Sequence, residues 1–118
     1  MQKLLRWLPA IFLCAYIFYW SSLPGSTIND LGLGNEAYHR IGHFLMFFFL
    51  CLTFYYATKN VVLSILLTVL YALSDEFHQS FVPLRSASIF DIYVDTLGAL
   101  TAGGLWKLYR IVLQKLKN

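Results

Sequence analysis

Ser74-Asp75-Glu76-Phe77-His78-Gln79-Ser80-Phe81-Val82-Pro83-Leu84-Arg85, with Asp91 and Asp95 shortly after, decides how this chain is read. It lies between two runs apolar enough to enter a membrane, Val61 to Ser74 and Ile89 to Leu105. Ionisable side chains are costly in hydrocarbon, so those found there face a protein interior or a watery cavity and mark function. Val61 to Ser74 is only 14 residues, about 21 Å of helix at 1.5 Å per residue. A hydrocarbon core of roughly 30 Å needs about 20 residues. The helix is therefore expected to continue through Asp75, Glu76, His78 and Gln79 until Pro83 stops it. That places the polar cluster in the outer part of a membrane.

Composition supports lipid as the solvent. Of the 118 residues 58% are hydrophobic and 13% charged, against about 25% charged in an ordinary soluble domain. So small a body cannot bury that much apolar surface within itself. The formal charge of +3 does not point to nucleic acid, because the basic residues gather at membrane ends instead of forming one footprint. Cys14 and Cys51 lie in apolar runs without C-x-x-C spacing and read as buried structural thiols.

Working outward, the expected architecture is an all-α membrane protein, a bundle of four transmembrane helices forming one domain over 1–118. The spans fall at about 7–23, 41–58, 61–80 and 89–106, with a basic cytoplasmic tail over 107–118. The positive, apolar start resembles a secretory signal. Its bulky aromatics (Phe12, Tyr16, Phe18, Tyr19, Trp20) and the lack of a small-residue cleavage site favour a retained first span. Pro24 and Gly25 end it, and residues 26–40 form a polar connection. Lys59-Asn60 is so short a turn that the second and third spans must be antiparallel neighbours.

Charge counting sets the orientation. With four spans, Lys3, Arg6, Lys59, Lys107, Arg110, Lys115 and Lys117 fall on one side, and only Arg40 and Arg85 on the other. The expectation is both termini in the cytoplasm. All six acids and all three histidines then belong to the extracytoplasmic half.

Helical spacing groups the polar residues. Asp75 and Gln79 are i, i+4; Glu76 and Gln79, like Asp75 and His78, are i, i+3; His39 and His43 are i, i+4. Asp91, Asp95, Gly98 and Ala102 form one stripe, acidic at one end and small at the other, flanked by Ala99 and Gly103, so another helix can approach. Glu76 beside Asp75 offers paired carboxylates, one of them suited to general acid or base work, with His43 to tune it. Arg85, Gln79, Asp95, Asp91 and His78 are the candidate binding residues, Arg85 for a phosphate or carboxylate. His43, His78 and the acids could also ligate a divalent metal. The signal is weak and no metal site is assigned, because no H-E-x-x-H occurs and no H-x-x-x-H pair lies beside the acids on one helix. No cofactor motif is present.

Structural alternatives stand beside these roles. Ser88 with Asp91 fits a helix-capping pattern, and His39 fits a solvated interface residue. Arg85 fits a counter-ion, and the whole set fits a structural salt-bridge network.

The set Ser21-Ser22-Leu23-Pro24, Arg40-Ile41-Gly42-His43-Phe44, Asp75-Glu76-Phe77-His78-Gln79 with Phe81, Pro83 and Arg85, then Asp91 and Asp95-Thr96-Leu97-Gly98 resembles the VanZ-like family. The resemblance runs from the first span to Gly103. Two positions depart from it: Arg40 stands where the family often has lysine, and Asp95 where it often has asparagine. It implies a small multi-spanning protein of the bacterial cytoplasmic (inner) membrane; the founding member is linked to low-level resistance to the glycopeptide teicoplanin. The resulting expectation is a protein that binds, and in its fuller form modifies, a membrane lipid or lipid-linked envelope precursor at the outer leaflet. The rivals are a non-catalytic scaffold for envelope enzymes and, ranked lowest, a proton-coupled transporter.

Overall fold

Pro9 shapes the start of the chain. Its ring leaves no room for the carbonyl four residues back, and the helix α1 (Gln2–Leu5) gives way there to α2 (Leu8–Ser22). The backbone bonds Trp7 N–H to Leu4 O (3.1 Å) and Ile11 N–H to Trp7 O (2.9 Å) carry the chain across the break. Leu23 is extended, as a residue before proline must be, and α3 (Gly25–Asp30) follows Pro24. The rest is α4 (Glu36–Thr58), α5 (Val61–Gln79) and α6 (Ile89–Lys117). The computed structural model describes residues 2–32, 34–85 and 88–118, and among these there is no strand.

Among the described residues three stretches are long and apolar enough to cross a membrane: Gln2–Ser22, Glu36–Thr58 and Val61–Gln79. Their outward faces are covered with large apolar side chains, among them Phe12, Phe49 and Leu70, each more than half exposed. Such a surface suits lipid and not water. α6 packs on α4 and α5 through its first half, where Asp91, Val94, Asp95, Gly98, Ala99, Ala102 and Gly103 are buried. Gly98 decides that approach: a Cβ there would lie 2.6 Å from the Phe44 carbonyl oxygen. The stripe of small residues thus does what its spacing predicted.

Helix ends and expected spans differ at several places. α5 does run through Asp75, Glu76, His78 and Gln79, though it ends at Gln79, before Pro83. Lys59 takes the left-handed conformation (φ 57°) and Asn60 caps α5 by accepting from Leu63 N–H, which makes the two-residue turn. α4, however, starts at Glu36 and not at 41, because Asn35 caps it by accepting from Ala37 N–H (2.8 Å) and Glu36 bonds Arg40 one turn on. The connection before it contains α3, and its residue Leu33 lies outside the described residues. The basic tail is the continuation of α6, exposed from Gly104 onward save for a half-buried Trp106.

Beside a smaller apolar cluster of Cys51, Ala99 and Ala102 between α4 and α6, the main apolar core is built from Ala10, Ile17, Phe47, Leu50, Phe54 and Ala72. It joins α2, α4 and α5 and leaves polar groups at one end of the bundle. That end is formed by the C-termini of α2 and α5 and the N-termini of α4 and α6. Gly25 fastens the α5–α6 connection to it: its N–H bonds Pro83 O (3.0 Å), and a Cβ would collide with Leu84 O.

Candidate functional site

The polar end holds four ionisable residues almost out of reach of solvent. His43, Asp75 and Glu76 are each 4% exposed and Asp95 is fully buried. They come from α4, α5 and α6, and one nitrogen or oxygen from each lies within 4.8 Å of the others. Burial of this kind is tolerated only where partners replace the lost water, and most of the partners are present. His43 Nδ1 and Asp95 Oδ1 are 2.8 Å apart. Ser21 Oγ donates to Asp75 Oδ1, and Gln79 Nε2 donates to Asp75 Oδ2 (3.3 Å) and Ser21 Oγ (3.2 Å). Glu76 Oε2 accepts from Ser88 N–H (2.8 Å), which ties α5 to the start of α6. Two oxygens, Glu76 Oε1 and Asp95 Oδ2, have no partner among the described residues.

One turn nearer the N-termini of α4 and α6 sits a second layer. His39 Nε2 lies 3.3 Å from Asp91 Oδ2, and the His39 and His43 rings are 4.5 Å apart. Ser88 caps α6 as its pattern suggests, its Oγ accepting from Phe90 N–H, while the buried Asp91 carboxylate pairs with His39 instead of sharing in the cap. His39 is half-buried in that pair, not a solvated surface residue.

Arg85 does not fill its alternative role of a simple counter-ion. No carboxylate of the described residues lies within ion-pair distance of it. Its Nη1 donates to the carbonyls of Trp20 (3.2 Å) and Leu23 (3.1 Å) at the end of α2. Burial lowers its pKa from the ordinary value, and the nearby charges of Asp75, Glu76 and Asp91 pull the other way. A guanidinium stays protonated through such shifts. The preceding Leu84 holds a left-handed φ of 60°, at a cost of about 1–2 kcal/mol for a non-glycine residue. His78 also lies elsewhere than expected. It stacks on Phe18 (4.4 Å) and meets Ser22 Oγ (2.9 Å), facing α2 outside the buried cluster.

Two cavities open at this end. The more polar, about 360 Å³, is lined by Asn29, Glu36, His39, Arg85, Ser88 and Asp91 among others. The more apolar, about 230 Å³, runs between α2 and α4 past Tyr16, Trp20, Tyr38 and Met46. Ile28, His39 and Arg85 belong to both. Of the expected site residues, Glu76, Asp75, His43, Gln79 and Asp95 are brought together in the buried layer, and Arg85 and Asp91 at the cavity. Ser21 was not singled out as a site residue, although it was quoted as part of the Ser21-Ser22-Leu23-Pro24 segment.

These features define a small all-helical membrane protein with a buried histidine–carboxylate cluster beneath an open polar cavity. The VanZ/LLP1 family profile matches residues 6–110, and the chain belongs to that family. Among curated proteins and solved structures none matches it.

Proposed function

We propose that this protein holds an amphiphilic, phosphate-bearing molecule, a membrane lipid or lipid-linked envelope precursor, in the outer leaflet of the bacterial cytoplasmic membrane. On this reading the chain crosses four times, with residues 89–106 as the fourth span and both termini in the cytoplasm. The seven-to-two distribution of basic residues supports that orientation. The close packing of the first half of α6 against α4 and α5 supports its place as the fourth span.

The observation that carries the proposal is the pair of neighbouring cavities that share Ile28, His39 and Arg85 as lining. One is polar and one is apolar and aromatic, with Arg85 and His39 in the shared lining. A headgroup in the first with its chain along the second matches the division of an amphiphile, and sites of this volume that combine apolar walls with a few convergent polar groups are typical for small ligands. Arg85 would receive the phosphate, because a guanidinium offers paired donors at a fixed spacing. Asp91, through His39, shapes the polar wall. Any chemical step on the bound molecule falls to Glu76 as general acid or base, with Asp75 and His43 tuning it and Gln79 and Asp95 holding these in place. Glycopeptide tolerance would follow from occupancy of this site by an envelope precursor.

Native mass spectrometry of the chain released from lipid tests the reading. The expected result is one phosphate-bearing lipid retained per chain and lost in Arg85→Ala at equal membrane abundance. Equal retention by both proteins would overturn it. The internal pairing of Ser21, Asp75 and Gln79 favours a second reading, a structural polar network in a scaffold for envelope enzymes. That reading expects unchanged lipid retention in Arg85→Ala and recovery of a protein partner on gentle extraction.

A further inference from the structure

We propose that His43, Asp75, Glu76 and Asp95 form a binding site for a single divalent transition-metal ion. The first ground is geometric. Donor atoms of the four residues, delivered by three different helices, lie within 4.8 Å of one another. Around a bound ion with ligand distances of about 2.1 Å, donors stand roughly 3–4 Å apart, so small side-chain adjustments close the set.

The second ground is independent of spacing. Glu76 Oε1 and Asp95 Oδ2 belong to side chains at least nine-tenths buried, yet neither has a hydrogen-bond partner among the described residues. Buried polar atoms are rarely left so, and where they are, an ion or water is a common reason. Charge points the same way. Asp75, Glu76 and Asp95 are buried together with no lysine or arginine within ion-pair distance among the described residues. A divalent ion would offset two of those charges, which low dielectric otherwise makes costly to keep.

The donor set selects the class of ion. One imidazole with three carboxylates is too rich in oxygen for a soft ion such as Cu(I), and its nitrogen favours Zn²⁺, Mn²⁺ or Fe²⁺ over Mg²⁺ or Ca²⁺. The outer contacts suit a metal site as well. Ser21 and Gln79 orient Asp75, and Ser88 N–H orients Glu76, as hydrogen bonds behind metal ligands do. The ion would lie one helical turn beneath His39 and Asp91, under the polar cavity. Nothing in this inference depends on which amphiphile occupies that cavity, or on any doing so.

The test uses the full chain in phosphatidylcholine nanodiscs loaded with Mn²⁺ and desalted, without any candidate substrate. Metal analysis is expected to give one Mn²⁺ per chain, displaced by Zn²⁺. Pulsed electron paramagnetic resonance is expected to report coupling to an imidazole nitrogen, which changes isotope when histidine is ¹⁵N-labelled. His39→Gln and His78→Gln should keep that signal and His43→Gln should lose it. Glu76→Gln and Asp95→Asn should each weaken Mn²⁺ binding by about tenfold or more. Retention of neither Mn²⁺ nor Zn²⁺ by the wild-type chain would overturn the proposal. So would a bound Mn²⁺ without nitrogen coupling, or a signal that survives in folded His43→Gln. Because the wild-type spectrum decides alone, a variant that fails to fold does not shelter the idea. Loss of the ion with phosphate-lipid retention intact would sink this inference and leave the functional proposal standing.

Discussion

Two cavities of nearly equal size sit toward opposite ends of this bundle, and they differ in almost everything else. The one at the polar end, about 360 Å³, meets Glu36, His39, Arg85 and Asp91. The other, about 370 Å³, is walled by Phe48, Leu52, Leu105, Trp106 and Tyr109. Volume alone therefore does not mark a site in a lipid-facing protein, where apolar hollows are filled by acyl chains at no great gain. Convergent polar groups do mark one, because hydrocarbon makes each of them expensive to keep. The polar end also contains the only left-handed leucine among the described residues and a glycine hard against the Leu84 carbonyl. The other end is held by an ordinary two-residue turn and aromatic packing of Tyr55 on Trp106 (4.9 Å).

The sharpest way to break this contrast is to remove a partner inside the buried cluster. Asp95→Ala leaves His43 without its bonded carboxylate, and such an unbalanced buried pair costs about 3–5 kcal/mol. The expected outcome is a large fall in the apparent unfolding temperature in mild detergent; an unchanged temperature would mean the pair is not buried as described. Next comes the helix contact beneath the cluster. Gly98→Leu drives a side chain into the Phe44 backbone, for a loss of about 1–3 kcal/mol. Gly104→Ala has open space around it and should gain about 0.5–1 kcal/mol from helix propensity. The same unfolding measurement compares the two, and equal effects would contradict the close approach of α4 and α6.

Ser21→Ala strips one donor from the buried Asp75 and should cost about 1–2 kcal/mol, visible as a smaller shift in the same assay. Ser22→Ala removes an exposed hydroxyl and should cost less. At the far end, Lys115→Gln lies on the exposed part of α6 and should change stability by no more than about 0.5 kcal/mol. A loss there comparable to that of Ser21→Ala would mean the basic end is also a packed, built region.

Legibility in the sequence followed the range of the interaction. Length arithmetic was enough to carry α5 through Asp75 and Gln79, because a span shorter than the membrane has to borrow polar residues. The small stripe at Gly98 and Ala102 was readable for the same reason that any helical face is. The start of α4 was missed because Glu36, His39 and Arg40 look like connection, although Asn35 before Glu36 is a capping signal. What could not be read was who meets whom across helices. Ser21 and Asp75 are 54 positions apart, and nothing local to either says they bond. His78 had the right spacing from Asp75, yet its ring is held by Phe18 and Ser22 on α2. The four donors of the buried cluster likewise lie on three helices, so no motif with metal-ligand spacing exists along the chain.

The most direct test of the central claim places a photoreactive residue at Tyr38, beside the polar-end cavities, and separately at Tyr109, beside the apolar one. Both are irradiated in bacterial membranes and the adducts are identified by mass spectrometry. The account predicts a selective adduct with a phosphate-bearing lipid or lipid-linked envelope precursor at Tyr38, lost when Arg85→Ala is introduced, and only bulk lipid at Tyr109. The same unselective adducts at both positions, indifferent to Arg85, would contradict it.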